Sequence, residues 1–167
     1  HNWAAKTAER WCAWWCDHLL FQSREDYEYA QQFRYKTTER LHLIGSGIDE
    51  RRFDRSLYPQ ARCQTRQTLG FAPEALVVGM VGRLVREKGW EDFFQMAGRV
   101  AKVCKEAHFL IVGITETSQS DAVDPAALMA LHGVTDRCVI LEQRQDMPQL
   151  YASMDLTVLP SYREGIP

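Results

Sequence analysis

The sequence lacks several features that would assign it to a well-marked class of protein. No apolar run approaches the roughly 20 residues of a membrane-spanning helix, and no signal peptide is visible. Basic residues are not in excess, because 20 Lys and Arg stand against 22 Asp and Glu, so nucleic-acid binding is not expected. The five cysteines are scattered, and Cys12 and Cys16 lack the second pair that a zinc site requires. Ordinary thiols in a reducing compartment are expected, which favours the cytoplasm.

Two nucleotide-binding signatures are also missing. No Gly-x-Gly-x-x-Gly run follows the first clear strand pattern, so a Rossmann dehydrogenase is not expected. Gly45-Ser46-Gly47 lacks the Lys-Ser/Thr that completes a P-loop, and taken alone it is a weak ligand motif. The chain has 167 residues, of which 46% are hydrophobic and 25% charged, as in a soluble globular protein. It begins with His1 rather than Met, and we expect a fragment or a processed piece of a longer protein.

Apolar segments alternate regularly with helical patterns from Ala75 onward. Strands are predicted over 75–81, 108–112, 138–141 and 156–159, and helices over 90–104, 126–131 and 147–154. This alternation predicts an α/β fold with a Rossmann-like parallel sheet and helices on both faces.

A partial second α/β domain is predicted before this region. A Trp-rich helix leads into a short strand near Phe21, Ser23 is a candidate N-cap for the next helix, and another apolar segment covers 41–44. Glycines, charges and a proline then cluster. We expect three parts: the tail of an N-terminal domain over 1–48, an interdomain connection over 49–74 and a truncated ligand-binding domain over 75–167.

Candidate site residues follow the predicted strands, because ligands of open α/β sheets collect outside the carboxyl ends of the strands. Arginine side chains and the backbone near glycines can hold a phosphate, while hydroxyls and carboxylates can bind a sugar. This combination suits a phosphorylated ligand rich in hydroxyls. The segments are Gly82-Arg83, Gly113, Gln143-Arg144 and Ser161 to Gly165, with Lys88 close to the first.

Structural explanations remain open for the charged members of this set. Lys88 could simply pair with Glu87 or Glu91, although a lysine near a helix N-terminus opposes the helix dipole. Glu164 could be a surface carboxylate paired with its neighbour, or it could accept hydrogen bonds from sugar hydroxyls. Gly165 would let the backbone turn tightly behind it.

Six segments together closely resemble family-four retaining glycosyltransferases of the GT-B fold. The resemblance covers roughly 17–167, and the segments occur in the family's order with suitable intervals. They are Gly47-Ile48-Asp49, Val81-Gly82-Arg83-Leu84 with Glu87-Lys88-Gly89, Phe109 to Gly113, Asp146-Met147-Pro148, Leu159-Pro160-Ser161 and Arg163-Glu164-Gly165-Ile166-Pro167.

The resemblance implies roles for these residues. Arg83 and Lys88 would hold the diphosphate of a nucleotide-sugar donor and stabilise the leaving group without a metal or cofactor. Glu164 would contact hydroxyls of the transferred sugar. Gln143 and Arg144 would lie by the base, and Gly47 near the cleft between two domains. Gly82, Gly113, Ser161 and Gly165 complete the expected donor-binding set.

Three departures from the family pattern limit the prediction. The second glutamate of the paired-glutamate motif would lie beyond Pro167, and the acceptor-side loop is absent. Glu142 stands where a small residue is usual, so base recognition stays open. We therefore expect a hexosyltransferase fragment that is inactive alone.

The expected partners are a nucleotide-sugar donor and a glycan or lipid-linked acceptor, in polysaccharide or glycan biosynthesis. Contact with the inner face of the membrane through missing N-terminal sequence is left open. A sugar-nucleotide epimerase of the same architecture and a non-catalytic nucleotide-sugar binding domain are the alternatives.

Overall fold

The computed structural model describes residues 3–114 and 121–163, which divide into two compact units. The first extends to Asp49 and the second runs from Glu50 to Arg163. Within the described residues, no helix combines the length and the apolar character that crossing a bilayer requires.

The first unit contains two helices and two short parallel strands. The elements are α1 (Trp3–Trp15), β1 (Leu19–Phe21), α2 (Arg24–Gln32) and β2 (Leu41–Leu43). Leu19 pairs with Leu41, and the N–H of Ile44 donates to the carbonyl of Phe21 just beyond the strands. Ser23 caps α2 as predicted, because its Oγ accepts from the N–H of Asp26 at 3.3 Å.

The second unit is built on a four-stranded sheet, which confirms the predicted parallel α/β fold. The strands are β3 (Leu76–Val81), β4 (Ala107–Val112), β5 (Cys138–Leu141) and β6 (Leu156–Thr157). Their order across the sheet is β5-β4-β3-β6, and every neighbouring pair is parallel. Regular pairing in β6 stops earlier than predicted, although the N–H of Val158 still donates to the carbonyl of Gly79 at 2.9 Å.

Helices cover both faces of this sheet because alternate strand residues point to opposite sides. The helices are α3 (Ala61–Thr68), α4 (Trp90–Val103), α5 (Pro125–His132) and α6 (Met147–Ser153). Phe109 and Ile111 pack in a core with α4 and α5, whereas Leu110 and Val112 pack in a second core with Leu150 of α6. Asp124 caps α5 by accepting from the N–H of Ala126 at 2.9 Å.

The structure assigns nearly all of the predicted connection over 49–74 to the second unit. From Glu50 the chain belongs to the second unit, and α3 packs against α6. The sequence of α3 reads as polar, but its Arg66 is buried and donates to the carbonyls of Pro73, Ala75 and Ser153. A buried arginine with these partners ties the helix to the sheet, which the polar composition alone did not suggest.

Candidate functional site

The carboxyl ends of the four strands lie along one edge of the second unit's sheet. From β3 the chain crosses to β4 on one side, whereas β6 lies on the other side of β3 and is reached from β5 through α6. Neighbouring strands whose connections leave in opposite directions form a topological switch point, where open α/β sheets bind ligands. The switch point lies between β3 and β6.

A pocket of about 180 Å³ opens at this edge, and we call it the strand-edge pocket. Five of the predicted residues line it: Gly82, Arg83, Gly113, Gln143 and Arg144. The other lining residues are Val81, Val112, Ile114, Glu142 and Met147. The structure therefore brings together residues from the loops after β3, β4 and β5, of which Gly82 and Arg144 are 62 residues apart in the sequence.

The two glycines of the pocket have different reasons to be glycine. A β-carbon on Gly113 would lie 2.3 Å from the carbonyl oxygen of Gly82, so Gly113 is needed for the two loops to pack. Gly82 is less crowded, since among the described residues a β-carbon there would meet only Cγ of Lys88, at 3.9 Å. Gly82 thus leaves room for a ligand beside the aliphatic part of the Lys88 side chain, whereas Gly113 allows the two loops to approach each other closely.

The loop after β3 is fixed by contacts at several points. The carbonyl of Arg83 accepts from Nε1 of the fully buried Trp90 at 2.7 Å, and the N–H of Leu84 donates to Ile114. A 3₁₀ turn over Arg86–Lys88 then ends at Gly89, whose φ of 76° is left-handed. This rigid loop sets the positions of Arg83 and Lys88 at the start of α4.

Arg83 is ion-paired in the structure. Its Nη2 lies 2.8 Å from Oε1 of Glu87, and both side chains are about half exposed. The sequence left open whether Lys88 pairs with Glu87 or Glu91. In the structure Arg83 pairs with Glu87, and Arg86 pairs with Glu91. The i,i+4 spacing of Arg83 and Glu87 was the available signal for this pair.

Arg144 is paired as well. Its Nε and Nη2 donate to the two carboxylate oxygens of Asp146 at 2.7 and 2.6 Å. These hydrogen bonds lower the pKa of Asp146, since they favour its ionised form more than burial opposes it. Both arginines that line the pocket are therefore paired with carboxylates of the chain itself.

The segment after β6 packs against the loop that carries Lys88. A β-carbon on Gly89 would lie 2.2 Å from the carbonyl oxygen of Pro160, and the N–H of Tyr162 donates to the carbonyl of Glu87 at 2.9 Å. The hydroxyl of Tyr162 donates to Asp92 at 2.6 Å, which raises the pKa of Tyr162. Sequence reasoning gave Tyr162 no individual role, and no spacing rule connects it to Asp92.

Ser161 sits in this packed segment. Its Oγ is shielded from solvent and has no hydrogen-bond partner among the described residues. Glu164 and Gly165 lie outside the described residues. Gly47 belongs to the first unit, where a β-carbon on it would meet nothing within 4 Å.

A larger pocket of about 530 Å³ lies elsewhere in the second unit, and we call it the α3 pocket. Its lining includes Arg62, Cys63, Arg66 and Phe71. It is not formed by the carboxyl ends of the strands, and Arg66 is already held by three backbone carbonyls and Asp155. The strand-edge pocket lies at the carboxyl ends of β3, β4 and β5, and this position favours it as the site although it is the smaller pocket.

Nothing in the described residues forms a metal centre, since no three His, Cys, Asp or Glu side chains converge there. A metal was not expected from the sequence, and its absence from this part of the chain does not test that expectation.

Several curated relatives match the chain by sequence. The 2-deoxystreptamine glucosyltransferase of Streptomyces kanamyceticus is 31% identical over 54% of this chain and 23% of its own length. The D-inositol 3-phosphate glycosyltransferase of Mycobacterium sp. (strain KMS) is 27% identical over 89% of this chain and 33% of its own length. The chain thus spans between about a quarter and a third of these relatives.

Solved glycosyltransferase structures share the fold. One is Anabaena HepE in complex with UDP-glucose, which matches with a TM-score of 0.71 at 24% identity, over 90% of this chain and 40% of that one. The family model described as glycosyl transferases group 1 matches residues 75–167. That range contains the strand-edge pocket and more than half of the chain, so the resemblance drawn from the six motifs is confirmed. The chain belongs to the glycosyl transferases group 1 family.

Proposed function

We propose that the protein containing this chain transfers a hexose from a nucleoside-diphosphate sugar to an acceptor hydroxyl with retention of anomeric configuration. The observation that carries the proposal is the strand-edge pocket, which gathers Gly82, Arg83 and Arg144 at the carboxyl edge of the sheet in a member of this family. The complex of HepE with UDP-glucose and the name of the S. kanamyceticus glucosyltransferase support a nucleotide-sugar donor and a hexose.

Arg83 and Lys88 are proposed to bind the diphosphate. The aliphatic part of the Lys88 side chain lies beside Gly82, and Arg83 lines the same pocket. Departure of the nucleoside diphosphate places negative charge on the leaving oxygens, and fixed cations stabilise that charge more than they stabilise the bound donor. This assistance uses residues of the chain itself and requires no metal.

The ion pair between Arg83 and Glu87 fits this role. A pair that is about half exposed contributes only about 0–1 kcal/mol, so a diphosphate competes well for the guanidinium. Glu87 holds the guanidinium near the pocket in the absence of a donor. Arginine is suited to this exchange because its planar fork can bind two phosphate oxygens at once.

The remaining roles follow from position along the edge. Gln143 and Arg144 are proposed to lie by the base, and Ser161 to offer its buried hydroxyl to the donor. Glu164 is proposed to bind hydroxyls of the transferred sugar, and Gly165 and Gly47 to complete the donor site. The acceptor is proposed to be a glycan or lipid-linked hydroxyl, and residues 1–48 to belong to the acceptor-side domain.

We also propose that the reaction takes place in the cytoplasm. All five cysteines lie in the described part of the chain and none of them forms a disulfide, as in a reducing compartment.

The test is turnover by the intact protein with UDP-, GDP- and ADP-hexoses and a panel of hydroxylated acceptors. The anomeric proton of the product is compared with that of the donor by NMR, and we expect the same configuration in both. Inverted configuration would contradict a retaining mechanism. Without acceptor, an isomerised donor would instead indicate an epimerase, and binding with neither transfer nor hydrolysis would indicate a binding domain.

A further inference from the structure

Glu142 brings a carboxylate to the strand-edge pocket that no other described side chain neutralises. The two arginines that line the pocket are engaged elsewhere, Arg83 by Glu87 and Arg144 by Asp146. Within residues 3–114 and 121–163, the carboxylate of Glu142 takes part in no hydrogen bond and no ion pair. The pocket therefore presents two acceptor oxygens that are available to a ligand.

The rest of the pocket suits one flat, apolar-faced group. Val81, Val112, Ile114 and Met147 form much of its wall. Its volume of about 180 Å³ is below the roughly 300–1,000 Å³ typical of sites for whole drug-sized ligands, so it holds a part of a nucleotide sugar. A carboxylate repels the phosphates, so the group it faces is the nucleoside.

We propose that Glu142 recognises guanine and that the donor is a GDP-sugar, an inference that rests on the function proposed above. Guanine is the base that places two donors side by side on its hydrogen-bonding edge, N1–H and the N2 amino group. A carboxylate accepts both, one on each oxygen, in the manner of a bidentate pair. Gln143 lines the same pocket and carries an amide N–H₂ that can donate to O6 of guanine.

Other bases leave the carboxylate poorly matched. Uracil has a single N3–H between two carbonyl oxygens. These oxygens carry partial negative charge and are repelled by the carboxylate. Adenine offers its N6 amino group next to the acceptor N1, so one carboxylate oxygen would face a lone pair. Glu142 is exposed in the structure, and a bound base would cover its carboxylate. Covering the carboxylate without a matching donor is unfavourable, which discriminates against the wrong base.

The experiment is calorimetric titration of the intact protein with GDP, UDP and ADP, for the wild type and Glu142→Gln. We expect wild-type protein to bind GDP about 10- to 100-fold more tightly than UDP or ADP, the scale of one bidentate base contact. Glu142→Gln should weaken GDP binding by a similar factor. UDP binding should hold or improve, because an amide offers one donor and one acceptor to the edge of uracil. The exposed Glu74→Gln is the matched control and should leave all three affinities unchanged.

Each remaining outcome overturns the proposal. Tighter binding of UDP or ADP by the wild type would exclude guanine recognition. Equal weakening of all three diphosphates in Glu142→Gln would show that the carboxylate contacts the ribose, which the three ligands share. Binding of none of the three would overturn the proposed function together with this inference, whereas binding without a preference for guanine overturns the inference alone.

Discussion

Arg83 lines the strand-edge pocket while its Nη2 pairs with Glu87 at 2.8 Å. Its neighbour Arg86, three residues along, carries the same charge but pairs with Glu91 and has a side chain that is 70% exposed. The loop thus contains one arginine in the pocket and one outside the lining. If the proposed function is correct, the charge of Arg83 acts on the ligand, whereas the charge of Arg86 only contributes to the field of the protein.

Arg83→Ala and Lys88→Ala, made separately in the intact protein, should each lower kcat/KM for transfer by about two to four powers of ten. This is the scale of removing a group that stabilises developing charge. Arg86→Ala removes the same charge from the same loop. It should change kcat/KM by less than about threefold, since the exposed Arg86 side chain lies outside the pocket lining and its charge is screened by solvent and salt. Wild-type kcat/KM in both Arg83→Ala and Lys88→Ala would rule out the diphosphate assignment.

The sequence predicted which residues would meet at the edge, but not their partners. Gly82, Arg83, Gly113 and Arg144 could be grouped because each follows a recognisable apolar strand, and parallel strands end together. The pairing of Arg144 with Asp146 depends on side-chain conformations in a loop, which periodicity does not encode.

At the scale of elements, the segment after β6 packs against the loop after β3 and stabilises it. The two meet where the left-handed Gly89 lies against the carbonyl of Pro160, and Tyr162 adds hydrogen bonds to Glu87 and Asp92. The loop after β3 and the segment after β6 therefore form a backbone junction at the switch point, where Gly89 contacts Pro160. Substitutions at the junction should shift the position of Lys88, which immediately precedes Gly89.

Gly89→Ala should destabilise the protein and weaken donor binding. The alanine would be strained at φ 76°, at a cost of about 1–2 kcal/mol, and its β-carbon would also lie 2.2 Å from the oxygen of Pro160. Gly70→Ala is the matched control, because Gly70 has φ 75° but open space around a β-carbon. Chemical denaturation should give a larger loss of free energy of unfolding for Gly89→Ala than for Gly70→Ala.

Affinity for the nucleoside diphosphate separates these variants further, because only Gly89→Ala should reduce it. If Gly89→Ala and Gly70→Ala lost the same free energy of unfolding and both kept wild-type affinity for the nucleoside diphosphate, the junction would not position Lys88.

The element pattern of the second unit was predictable over most of its length. β5 has the predicted bounds, and β3, β4 and α4 differ from the prediction by one residue at an end. The sequence did not predict α3, because the stability of this helix depends on tertiary contacts. Arg66 donates to carbonyls of residues 73, 75 and 153, and no local pattern announces such distant partners.

At the scale of the whole second unit, Asp155 joins α3 to the sheet. It accepts from Arg62, from Arg66 and from the N–H of Val77. Burial alone would raise the pKa of Asp155, but the hydrogen bonds from Arg62, Val77 and Arg66 outweigh it and lower the pKa. A lowered pKa in the folded state means that ionised Asp155 stabilises the fold above its unfolded pKa of about 4. This contribution is lost as the pH falls through the folded value.

Arg66→Met should lower the free energy of unfolding by about 3 kcal/mol at pH 7, because it leaves the Asp155 carboxylate and several carbonyls without their buried partner. Arg62→Ala removes the more exposed partner of the same carboxylate and should cost about 1 kcal/mol or less. Urea titrations of the intact protein at pH 7 and below pH 4 measure both. The difference between wild type and Arg66→Met should narrow at acid pH, and a difference independent of pH would contradict the pairing with Asp155.

The pockets lined by described residues of the second unit include the strand-edge pocket and the larger α3 pocket. The account depends on the first of them. The most direct measurement is a crystal structure of the intact protein with its nucleoside diphosphate bound. It should place the diphosphate within hydrogen-bonding distance of Arg83 and Lys88, with the base near Gly113 and Glu142. A nucleotide seated beside Cys63 and Arg62, or away from both arginine-lined surfaces, would contradict it.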